Sequence, residues 1–254
     1  MINQSKMKAW EFNVFNIYNY NLEGPYRFIF DFLSKNQADL NCDLLEAGVY
    51  RGRMTLSMAH FLKQYSLPGK IHGFDTFTGF PSYSVKDNIQ NFRELLILGK
   101  ITTQHFEQVE KLQHYNLNVL NRGIAPDSIS TSGGFEDSRL DELVKKMDFF
   151  GLDNIILHPG DFAETMKSPE LAGLKFSLIF IDCDLYDGYQ ETLRYGWDRL
   201  VSGGIIFLDE YYSLKFPGAR LAVDEFLSDK SGFRLLEISE SWDDFERWVI
   251  LKDE

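Results

Sequence analysis

Five times between residues 43 and 211 the chain runs through a short apolar stretch that breaks off close to an acidic residue. The stretches are "DLLEAG", "KIHGFD", "DNIILHPGD", "SLIFID" and "GGIIFLD", and helical patterns alternate with them. Apolar runs without polar alternation are buried on both faces, which in a strand–helix alternation means parallel strands with helices packed on each side. "FRLLEIS" and "FERWVIL" near the end stand too close together for a crossover helix, so they are expected to pair antiparallel. The fold class read from this pattern is α/β: a doubly wound sheet, mostly parallel, with one antiparallel strand.

The 254 residues, 44% of them hydrophobic, suit one domain spanning 1–254. Residues 1–40 form an aromatic-rich helical segment, and the tyrosines and phenylalanines of 10–30 are read as core or as contacts of a homo-oligomer. After Pro81 the strand pattern stops, and residues 82–130 carry helical stretches such as "NIQNFRELLILGK", read as a helical lid insertion. A net charge of −12 excludes nucleic acid and anionic membrane as partners, because phosphates need clustered Lys and Arg. No apolar run approaches the roughly 20 residues of a membrane span, and "MINQSKMKAWEF" lacks the apolar stretch of a signal peptide. A cytoplasmic protein is expected, with Cys42 and Cys183 as reduced core thiols. His72 and His158 fall within strands and read as core residues.

In doubly wound sheets the ligand lies outside the carboxyl ends of the strands. The first strand runs into "EAGVYRG", where Gly48 lets the backbone approach a ligand and Glu46 marks the strand end. Val49 stands where a pyrophosphate-binding G-x-G-x-x-G loop needs glycine, and Glu46 repels a diphosphate. A cationic ligand suits it better, for instance the amino group of S-adenosylmethionine. Asp75, ending the second strand, holds the place of a ribose-binding carboxylate. Asp161 follows the third, placed to reach an adenine amino group or to cap the helix beginning "FAETM".

Asp182 and Asp184 end the fourth strand and Asp209 and Glu210 the fifth. If those strands are neighbours, the acids converge and raise one another's pKa unless a cation sits among them. Oxygen donors alone select a hard ion such as Mg²⁺ over Zn²⁺.

These stretches, together with "GFDTFTGFP", "SGGFEDS" and "PGARLAVDEF", resemble the macrocin O-methyltransferase family in order across most of residues 43–228. The resemblance implies a class I, Rossmann-like, S-adenosylmethionine-dependent methyltransferase fold with a divalent-metal site, acting on a sugar hydroxyl of a small molecule. By position it implies Asp182, Asp209 and Glu210 as metal ligands and Asp184 as general base. Glu46, Gly48, Asp75 and Asp161 become cofactor contacts, with Ser132 and Gly133 along the adenosine. Two departures stand out: Glu210 replaces the family's usual aspartate, and the 82–130 connection is longer. The rival readings are a metal-dependent glycosyltransferase using the D-x-D pair and a non-catalytic protein retaining the fold.

Overall fold

The computed structural model describes residues 7–121, 135–239 and 245–253. Its seven strands are β1 Asp43–Ala47, β2 Ile71–Asp75, β3 Ile155–Pro159, β4 Phe176–Ile181, β5 Leu200–Leu208, β6 Phe233–Glu237 and β7 Trp248–Lys252. They form one sheet in the order β3-β2-β1-β4-β5-β7-β6. β7 alone runs against its neighbours, pairing antiparallel with both β5 and β6. The terminal hairpin therefore forms as expected, and the reversed strand lies inside the sheet.

Nine helices surround it among the described residues: α1 Ala9–Val14, α2 Arg27–Leu40, α3 Arg53–Gln64, α4 Asn91–Ile97, α5 Thr103–His114, α6 Leu140–Phe150, α7 Phe162–Thr165, α8 Tyr186–Trp197 and α9 Pro217–Leu227. Successive side chains of a strand point to opposite faces, so each apolar run feeds two cores. Leu44, Leu178, Phe180, Ile205 and Phe207 face α1, α2, α3 and α6. Leu45, Ile179, Ile181, Ile206 and Leu208 face α8 and α9. Phe12, Tyr18, Tyr20 and Phe30 belong to the first core, which places these N-terminal aromatics inside the fold.

β5 begins at Leu200, ahead of the apolar stretch "GGIIFLD" read from the sequence. Gly203, at φ +74°, lets the backbone deform there, and the β4–β5 register shifts between Phe176 and Leu178.

The described part of the insert, residues 82–121, packs on the body of the protein. Phe92, Leu95, Ile101 and Val109 form a small core with Leu214 and Leu221. His105 Nε2 lies 2.7 Å from the Ser213 carbonyl oxygen, and Tyr212 donates its hydroxyl to Gln108. Asp87, completely buried, accepts from the backbone N–H of Tyr186 at 2.8 Å and of Ser84 at 2.9 Å. The segment braced in this way, 211–216, immediately follows Asp209 and Glu210.

Candidate active site

The carboxyl ends of β2, β1, β4 and β5 are tied together one residue past the strands. Gly48 N–H donates to Phe74 O at 2.9 Å, Asp182 N–H to Ala47 O at 2.9 Å, and Asp209 N–H to Ile181 O at 3.0 Å. Because β4 and β5 are parallel neighbours with Ile181 opposite Leu208, their terminal acids must stand side by side. The sheet changes winding direction between β1 and β4, and at that switch point a cavity of about 620 Å³ opens. Glu46, Gly48, Asp75, Asp161, Asp182 and Asp184 all line it.

Glu46 is buried and receives a hydrogen bond from the Thr55 hydroxyl. Burial pushes its carboxyl up to about 8, against the Thr55 bond and with help from the Asp75 charge. A cationic amine beside it would offset that desolvation. Asp75 Oδ2 accepts from Tyr50 N–H at 2.7 Å and Oδ1 from Phe77 N–H at 2.6 Å. Both oxygens are fixed in direction, and each keeps a second lone pair for a ligand hydroxyl. Asp161 caps α7, accepting from Ala163 N–H at 2.8 Å, and lines the cavity as well. Ser132 and Gly133 lie outside the described residues.

Asp182, Asp209 and Glu210 each offer a carboxylate oxygen, all within 4.8 Å of one another. Burial raises all three; for Asp182 and Glu210 the charges of the neighbouring acids raise them further, while Arg247 opposes the rise at Asp209. Asp209 Oδ1 is buried with no hydrogen-bond partner. A set of oxygen donors that repel one another, one of them orphaned, fits a hard divalent cation. Asp184 stands beside them at φ +65°, its N–H 3.4 Å from Glu210 Oε2. Burial and then the Asp209 charge push its carboxyl up to about 8, with Lys215 opposing.

Sequence reasoning missed the residues that hold these acids. Tyr26, just ahead of α2, pairs with Asp209, Thr55 with Glu46, and Tyr189 with Glu210. No local signal marks Tyr26. Tyr189 reads from helical spacing as an ordinary core residue, which it also is. His72 is buried and His158 half-buried, and they share a network, His72 Nδ1 lying 3.0 Å from His158 Nε2 and His72 Nε2 3.1 Å from Asp43 Oδ2.

A methyltransferase-domain model, Methyltransf_24, matches residues 45–211, which is more than half of the chain and contains every acid of the cavity. The chain belongs to the methyltransferase-domain family. No curated protein matches it. Among solved structures, the O-methyltransferase NovP is similar with a TM-score of 0.59 at 18% identity, covering 90% of this chain and 78% of that one. The calicheamicin methyltransferase CalS11 gives 0.55 at 22% identity, covering 98% and 86%. An apo structure of CalS11, described as a TDP-rhamnose 3'-O-methyltransferase, gives 0.51. These likenesses establish a class I methyltransferase fold. As a member of the family matched over residues 45–211, the protein is an S-adenosylmethionine-dependent methyltransferase, and the glycosyltransferase alternative is set aside. Among the described residues of the methyltransferase, no helix is long and apolar enough to cross a membrane.

Proposed function

We propose that this methyltransferase transfers a methyl group to a hydroxyl of a sugar or a glycosylated small molecule, with Asp184 as general base and a divalent cation held by Asp182, Asp209 and Glu210. The observation that carries the reading is the cluster of Asp182, Asp209 and Glu210, which meets the cavity through Asp182 beside Asp184, in the same cavity that Glu46 and Asp75 line. The sequence resemblance to the macrocin O-methyltransferases, and the sugar acceptor named for CalS11, support the acceptor class.

When bound, S-adenosylmethionine supplies an electrophilic methyl carbon and a divalent cation makes a nearby hydroxyl more acidic. The chain has to do the rest. Asp75 orients the ribose through lone pairs left by its two backbone bonds, and Glu46 faces the amino group. Phe80, Leu185 and Asp184 line the same cavity, so apolar walls exclude water next to the base. Asp184 takes the proton of the acceptor hydroxyl as its oxygen bonds to carbon and the carbon–sulfur bond breaks. Placing the two reactants in line at contact distance supplies most of the remaining rate.

The test is transfer of labelled methyl groups to a panel of free and nucleotide-linked sugars, in Mg²⁺ or in EDTA. Activity should appear on a hydroxylated sugar and vanish in EDTA. Asp184→Asn should lower turnover by about 10²–10⁴-fold, the usual worth of a general base, with cofactor affinity nearly unchanged. Full activity in EDTA, or near-normal turnover of Asp184→Asn with methyl transfer rate-limiting, overturns the assignment.

A further inference from the structure

Behind the acid cluster, out of reach of the cavity, one phenol touches both strands that carry the acids. Tyr189, on the first turn of α8, is completely buried. Its hydroxyl lies 2.6 Å from Glu210 Oε2, accepts from Glu210 N–H at 3.0 Å, and stands 3.2 Å from the carbonyl oxygen of Ile181. A phenol has a single proton, and the shortest contact assigns it to the Glu210 carboxylate. The same oxygen thus grips residue 210 by backbone and side chain, next to the last peptide of β4, from which Asp182 hangs. The Asp184 N–H approaches Glu210 Oε2 from the other strand. One Glu210 carboxylate oxygen is therefore engaged by the protein before any ion arrives.

We propose that Tyr189 is a positioning residue for the cation site: its hydroxyl fixes the Glu210 carboxylate against the ends of β4 and β5, so that the third acid meets the ion in one orientation. The inference rests on the cation reading above. Glutamate is one methylene longer than aspartate, and in this chain the extra length is what lets the carboxylate reach the phenol while staying within the cluster. Tyr189 and Glu210 form a matched pair, and shortening one should cost the same contact as deleting the hydroxyl of the other.

Mg²⁺ and S-adenosylhomocysteine titrations by calorimetry, on wild type, Tyr189→Phe, Glu210→Asp and the double variant, decide this. Tyr189→Phe should weaken Mg²⁺ by about 10–100-fold, the usual effect of removing a group that orients a ligand, and leave S-adenosylhomocysteine affinity unchanged. Glu210→Asp should also weaken Mg²⁺ although it keeps a carboxylate, and the double variant should be no weaker than Glu210→Asp. Wild-type Mg²⁺ affinity in Tyr189→Phe, equal loss of both ligands, additive losses, or tighter binding by Glu210→Asp would each overturn the inference. If Tyr189→Phe does not fold, Glu210→Asp decides alone by the same two titrations. A wild-type protein that binds no Mg²⁺ overturns the cation reading itself, a result distinct from an unaffected Tyr189→Phe.

Discussion

The carbonyl oxygen of Asp182 occupies the space that a side chain on Gly48 would need. Gly48 also sits at φ +92°, a conformation that side chains rarely adopt. The close approach of the β1 and β4 ends, which makes the floor of the cavity, is possible because residue 48 has no Cβ. Gly48→Ala should lose about 1–3 kcal/mol from its backbone conformation alone, and more from the clash. Cofactor affinity should fall with it. Urea unfolding and an S-adenosylhomocysteine titration check both, and a fully stable variant with wild-type affinity would show that the floor can relax.

On the proposed cofactor placement Asp75 has two tasks, and its removal should show both. Asp75→Ala deletes the acceptor for Tyr50 N–H and Phe77 N–H as well as the ribose contact. Loss of hydrogen bonds to a charged group should weaken cofactor binding by about 1.5–3 kcal/mol, accompanied by a lower thermal midpoint. Unchanged affinity for S-adenosylhomocysteine in a folded variant would remove Asp75 from the cofactor site.

Cation binding should release protons at neutral pH. Asp184 is held at about 8, and Asp182 and Glu210 well above the ordinary carboxylate range, so the empty cluster carries protons that a cation displaces. Mg²⁺ affinity should therefore rise with pH through the neutral range. Calorimetry in buffers of different ionisation enthalpy measures the proton count directly. Binding with no proton release would mean that the acids are already ionised.

Stability should fall as pH drops from about 6.5 towards 4. Burial, then the neighbouring His72, depress His158 to about 4, below its unfolded value. Between the two values the unfolded chain binds the extra proton, so stability is complete above the unfolded pKa and is lost as pH falls to the folded one. Allowing for its partial exposure, His158 should account for about 1–2 kcal/mol of that loss. His60 and His105, also depressed by burial, add in the same direction. Urea midpoints measured from pH 4.5 to 7.5 should show a flatter profile for His158→Gln; an identical slope would exclude the His72–His158 pair as its source.

The described part of the insert, residues 82–121, should behave as a fixed brace. Leu95 is completely buried in the small core that joins α4 and α5 to Leu214 and Leu221. Leu95→Ala should cost about 2–5 kcal/mol, the range for a cavity in a packed core, and should weaken Mg²⁺ through the loosened 211–216 segment. A stability loss within the range of a surface substitution would mean that the insert packs loosely enough to act as a lid.

The sequence by itself determined the strands, their parallel winding and the acids at their ends. Periodicity and strand termination are local properties: a run such as "SLIFID" states both that it is buried on two faces and where it stops. It also determined the chemistry of the donors, since Asp182, Asp209 and Glu210 offer oxygen alone. Only the tertiary structure decided that β4 and β5 are neighbours in register, which turns two separate strand ends into one cluster. Only it supplied the partners of the acids. Tyr26, Thr55 and Tyr189 come from three helices or their edges, and nothing in their own sequence surroundings distinguishes a core tyrosine from one whose hydroxyl meets a carboxylate. The packing of residues 82–121 against Leu214 and Leu221 was likewise invisible, because helical spacing reveals an apolar face and not the surface that covers it.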